Sequence, residues 1–138
     1  MADTQVEQAL RERPMSPHLG IYTPLMSMMM SIVHRMTGVA LFFGTILLAW
    51  WLASAAIGPE AYASFMALAD STIGRFVLFG YTWALIHHML GGLRHFIWDA
   101  GRGFELGMID LLAWGTLMVS ITVTLAIWFA TFRMMGVM

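Results

Sequence analysis

Residues 31–57 read SIVHRMTGVALFFGTILLAWWLASAAI, a polar opening (Ser31-Ile32-Val33-His34-Arg35) followed by a stretch that carries no charge from Met36 to Gly58. A helix needs ~20 apolar residues to cross the hydrocarbon core of a bilayer, where its backbone must satisfy its own hydrogen bonds. The stretch therefore predicts a membrane-spanning helix over about 25–57, with its polar cluster near one end. Two more apolar runs predict helices over about 73–100 and 108–133. All three runs are continuous rather than alternating, which excludes a transmembrane β-barrel. Gly58-Pro59-Glu60 stops the first helix and Gly101-Arg102-Gly103 breaks the chain after the second. Residues 60–72 are expected to form a short interfacial segment. Residues 1–24, with Pro14, Pro17 and Pro24, read as an extended or irregular N-terminal cytoplasmic segment ahead of a three-helix membrane anchor domain over 25–138.

Composition agrees. The 138 residues are 59% hydrophobic and 11% charged, against roughly 45–50% and about 25% in soluble domains. A net charge of −1 offers no basic surface for nucleic acid. The absence of cysteine excludes disulfides and thiolate-held zinc or iron–sulfur centres. The N-terminal stretch has no apolar core and carries Asp3, Glu7 and Glu12, unlike a signal or transit peptide. The chain is expected to begin near residue 1 and to sit in a bacterial inner membrane.

Arginine placement sets the orientation. Arg11, Arg13, Arg35, Arg94 and Arg102 fall on one side, against Arg75 and Arg133 on the other, which predicts an N-in, C-out chain. Trp98 and Trp114 would then mark the inner interface, and Trp50, Trp51 and Trp128 the outer one. The start of the first helix and the end of the second share the inner leaflet.

Polar groups in a span are functional candidates by default. Ser31, His34 and Arg35 have i, i+3, i+4 spacing and share a helix face suited to a carbonyl-bearing or acidic ligand. The structural alternative has Arg35 and His34 snorkelling to headgroups and Ser31 bonding its own backbone. His88 lies roughly 9 Å deeper than Arg94 at 1.5 Å per residue. Gly91 and Gly92 follow at i+3 and i+4 and leave room for a flat macrocycle or a neighbouring helix. His95 returns to the same face, with Asp99 at i+4 to accept a hydrogen bond. This pattern suits a haem held through His88; the alternative is a packing histidine. His87 points ~100° away from His88 and is expected to pack against a neighbour or a loop, while His18 is expected to face solvent or a partner. Met26 and Met30 form an M-x-x-x-M pair that would suit soft metals, although methionine is more often apolar filler. The third run, without an ionisable residue from Leu111 to Phe132, is expected to supply packing and lipid contact only.

Two stretches resemble a known family. Arg13-Pro14-Met15-Ser16-Pro17-His18-Leu19, followed by Ser31-x-x-His34-Arg35-x-Thr37-Gly38, resembles the N-terminal signature of the cytochrome b (large) membrane-anchor subunits of succinate dehydrogenase. His88-x-x-x-Gly92-Leu93-Arg94-His95-Phe96-x-Trp98-Asp99 resembles that family's second signature. The resemblance implies an all-α membrane protein forming half of a heterodimeric haem-binding bundle. It implies His88 as an axial ligand of haem b, the other ligand coming from the small anchor subunit. Ser31 and Arg35 would line a ubiquinone pocket, with His34, Arg35 and His95 near the haem propionates. The partners implied are the small anchor, an iron–sulfur subunit and the flavoprotein that oxidises succinate, as complex II of the respiratory chain and tricarboxylic acid cycle. Two other readings stand beside it: a three-helix metal transporter using methionines and histidines in a pore, and a purely structural anchor.

Overall fold

The computed structural model describes residues 23–136 together with Glu7, which is helical. The remaining N-terminal residues, among them Arg13–Leu19 of the first signature and His18, lie outside the described residues. Four helices follow in order: α1 (Met26–Ile57), α2 (Pro59–Ala69), α3 (Thr72–Asp99) and α4 (Leu106–Met134). α1, α3 and α4 are long and apolar enough to cross a membrane. At 1.5 Å per residue they span about 48, 42 and 44 Å, longer than the ~30 Å hydrocarbon core, so their ends reach headgroup depth or the helices tilt.

Local chemistry sets the breaks. Gly58, at φ 143, ends α1 with a backbone conformation that L side chains rarely adopt. Pro59 then opens α2 at its first position, where the missing N–H costs nothing, with Glu60 in the favourable first turn. The segment expected to lie at the interface is thus largely an 11-residue helix. Ser71 caps α3 by accepting from the Gly74 N–H at 3.0 Å. After α3, Gly101 and Gly103 turn the chain at φ 70 and 76, and the Gly103 carbonyl accepts from Trp98 Nε1 at 3.2 Å.

The interior is small and polar, and the exterior is large and apolar. Buried positions include Thr37, Ser54, Thr116, Ser120 and Thr124, with Ala84 and Ala113 beside them, whereas Phe42, Phe43, Phe76 and Phe129 face outward. Lipid tails are as apolar as leucine, so burying leucine between spans gains little. Small residues instead let the helix backbones approach. The buried hydroxyls bond carbonyls of their own helices, as Thr116 does to Leu112 O at 2.7 Å and Thr124 to Ser120 O at 2.7 Å. α3 packs against both α1 and α4, which brings the end of α3 beside the start of α1.

Candidate functional site

Three histidines meet where the start of α1 passes the end of α3. The His34 and His88 rings stack with centroids 4.0 Å apart and planes 4° from parallel, and His95 lies 5.5 Å from His34. Glycines on both helices permit this approach. A Cβ at Gly91 would collide with the His34 ring, and a Cβ at Gly38 would sit 3.0 Å from His88 Cε1. The space at Gly91, expected to receive a macrocycle or a helix beside His88, is taken by the His34 ring, while Gly92 has open space next to it.

The partners of His88 fix its chemistry. Its Nδ1 lies 3.1 Å from the His34 carbonyl oxygen and 3.3 Å from Thr37 Oγ1. A carbonyl can only accept, so Nδ1 carries the proton and Nε2 keeps the lone pair. An imidazole tied by Nδ1–H to a carbonyl, with Nε2 available, has the form of a metal-ligating histidine. Among the described residues no hydrogen bond engages that Nε2. An apolar cleft of about 690 Å³ opens between α1 and α3, lined by Thr37, Ala40, Gly44, Tyr81 and Ala84 among others; Thr37 touches the His88 ring and Ala84 lies one turn before it. Its size lies in the range of small-molecule and cofactor sites. One half-buried histidine with its proton held at Nδ1, one helical turn from an apolar cleft, has the donor chemistry for one side of a haem.

Ser31 and Arg35 form a second unit. The Arg35 guanidinium donates to Ser31 Oγ at 3.2 Å, and Arg35 is exposed at this end of α1. The trio with i, i+3, i+4 spacing divides: Ser31 and Arg35 pair with each other, while His34 turns to α3. Among the described residues His34 Nδ1 is buried without a hydrogen-bond partner.

Other placements differ from expectation. His95 makes no hydrogen bond to Asp99 among the described residues; its ring meets the edge of Trp98 at 5.2 Å, and Asp99, the last residue of α3, is exposed. α4 does more than pack. Its Ser120 hydroxyl lies 3.2 Å from Nδ1 of His87, which is completely buried and has Trp83 at 5.2 Å. His87 therefore packs against a neighbour, as its angle from His88 predicts. Arg94, which the sequence presents as an inner-face cation, is 4% exposed, has its guanidinium 5.1 Å from the Trp98 ring and, among the described residues, leaves Nε without a hydrogen-bond partner. The i, i+4 Arg–Trp spacing was the available signal for that contact. Met30 is buried in the helix packing, and among the described residues no group of three or more His, Cys, Asp or Glu could hold a metal ion.

Comparison with known proteins gives a consistent result. Residues 9–127 match the family model for the succinate dehydrogenase/fumarate reductase transmembrane subunit. The chain is 38% identical over 126 residues to the succinate dehydrogenase cytochrome b556 subunit of Rickettsia typhi, a match covering 91% of this chain and 98% of that protein. It is 44% identical over 94 residues to the subunit of the same name from Paracoccus denitrificans, covering 68% and 72% of the two chains. The mitochondrial succinate dehydrogenase cytochrome b560 subunit of Sus scrofa is 38% identical over 99 residues, covering 68% of this chain and 57% of that one.

Proposed function

The chain belongs to the succinate dehydrogenase/fumarate reductase transmembrane subunit family, and from that premise we propose that it carries one side of a haem b site and part of a ubiquinone-reduction site. The observation that carries this reading is the His88 imidazole, whose proton is held at Nδ1 by the His34 carbonyl at 3.1 Å. His88 Nε2 would hold the iron, with His34, Arg35 and His95 toward the propionates at the inner end. When bound, a haem would supply a one-electron store. A second ligand to the iron would come from a small anchor subunit, since among the described residues His88 alone has its Nδ1 held by a carbonyl.

Ser31 and Arg35 receive the quinone. Arg35 donates to Ser31 Oγ, which leaves the serine's own O–H free to donate to a quinone carbonyl oxygen. As the ring takes up electrons, negative charge grows on that oxygen. The guanidinium stabilises it from a fixed position, the logic of a preorganised electrostatic site. Two electrons and two protons convert the quinone to quinol. The electrons arise from succinate oxidised on a flavoprotein subunit and arrive through an iron–sulfur subunit on the inner face. The N-terminus is cytoplasmic, residues 1–24 lie on that side, and the protein resides in a bacterial inner membrane. The arginine asymmetry supports this orientation.

In the assembled complex, Ser31→Ala and Arg35→Leu are expected to lower succinate-driven quinone reduction by tenfold or more, taking a lost charge-assisted contact as ~1.5–3 kcal/mol. Succinate oxidation by an artificial dye should stay near wild type. Equal loss of both activities would remove Ser31 and Arg35 from the quinone site.

A further inference from the structure

Two buried hydroxyls reach a histidine on a neighbouring helix, Ser120 toward His87 and Thr37 toward His88. Among the described residues Ser54, Thr116 and Thr124 bond carbonyls of their own helices. Thr37 also donates to its own helix, at 2.9 Å to His34 O, but its oxygen lies 3.3 Å from His88 Nδ1 on α3. Its proton is committed to the carbonyl, so toward His88 it presents only a lone pair. The Nδ1–H of His88 thus faces two acceptors at once, His34 O at 3.1 Å and Thr37 Oγ1 at 3.3 Å, and those acceptors are themselves joined. Thr37 is 3% exposed, so water does not replace it, and the next residue, Gly38, is where the His88 ring rests on α1.

We propose that Thr37 is a positioning residue for His88: its hydroxyl fixes the ring against α1 and shares the Nδ1 proton with the His34 carbonyl, which sets how strongly Nε2 donates to a metal. The proposal rests on the reading of His88 as an iron ligand. Acceptors on the far nitrogen of a ligating imidazole orient the ring and raise its basicity, and a more basic ligand favours oxidised iron. Removing one of two acceptors weakens that donation while the His34 carbonyl still holds the tautomer. Ligation therefore survives and the redox balance of the iron moves.

The test uses the assembled complex with Thr37→Val, which keeps the branched shape without the hydroxyl, and Thr37→Ser, which keeps the hydroxyl. Thr37→Ala serves as a second, smaller variant without the hydroxyl. Optical redox titration should place the haem midpoint potential of the Val and Ala variants above wild type. The Ser variant should titrate at the wild-type potential. Low-spin EPR g-values should change in the Val and Ala variants and return in Ser. A wild-type potential in both Val and Ala, or a Ser variant shifted as far as Val, overturns the role of Thr37 alone. Haem absorbance unchanged in His88→Ala overturns the ligand reading, and the proposal with it.

Discussion

His88 leans on α1, where a backbone carbonyl and a threonine hydroxyl take its Nδ1 at 3.1 and 3.3 Å, while His87, one residue earlier, is sealed against α4 with Ser120 3.2 Å from its own Nδ1. A helix turns ~100° per residue, so adjacent side chains serve different neighbours. Both imidazoles have a hydroxyl at Nδ1. The difference lies in what surrounds the other nitrogen. His87 has no exposed surface and its Nε2 is enclosed, whereas His88 is half-buried. Residue type alone does not separate the two imidazoles; their burial and their partners do.

This contrast can be broken from either side of α3. Gly91→Val should have the largest effect. Its side chain would enter the space filled by the His34 ring, and overpacking of this kind costs about 3 kcal/mol. It should lower the thermal midpoint of the purified complex and weaken haem retention on the His88 side. Ser120→Ala acts on the other face by leaving His87 Nδ1 buried without its partner. The expected cost is about 1–2 kcal/mol, seen as a lower thermal midpoint with an unchanged haem spectrum; a changed spectrum would blur the division between the two histidines. Thr82→Val should be mildest. It removes the acceptor of the 3.3 Å bond from Trp128 Nε1, and such interhelical bonds in membranes average ~0.6 kcal/mol. Only a small shift in the same thermal assay is expected.

The sequence shows the spans well because continuous apolar runs have one explanation in a bilayer. The helices over 26–57, 72–99 and 106–134 fall within two residues of expectation. The short helix at 59–69 is harder to see: Pro59 and Glu60 are helix-start signals, but 11 residues carry too little periodicity to establish its type. The Ser31–Arg35 bond is legible from i, i+4 spacing. The stack of His34 on His88 and the reach of Thr37 to His88 are not, since they cross 54 and 51 positions and depend on how closely two glycines let α1 and α3 approach. Arg94 misleads for a related reason. An arginine near a helix end reads as surface charge, and only the packing against Trp98 and the neighbouring helices shows it buried.

The most direct test compares reduced-minus-oxidised absorbance spectra of the complex carrying His88→Ala and of the complex carrying His87→Gln. The haem band should be diminished or displaced by the change at 88 and match wild type after the change at 87. A band untouched by His88→Ala and lost with His87→Gln would contradict the assignment of the iron to the α1-facing imidazole.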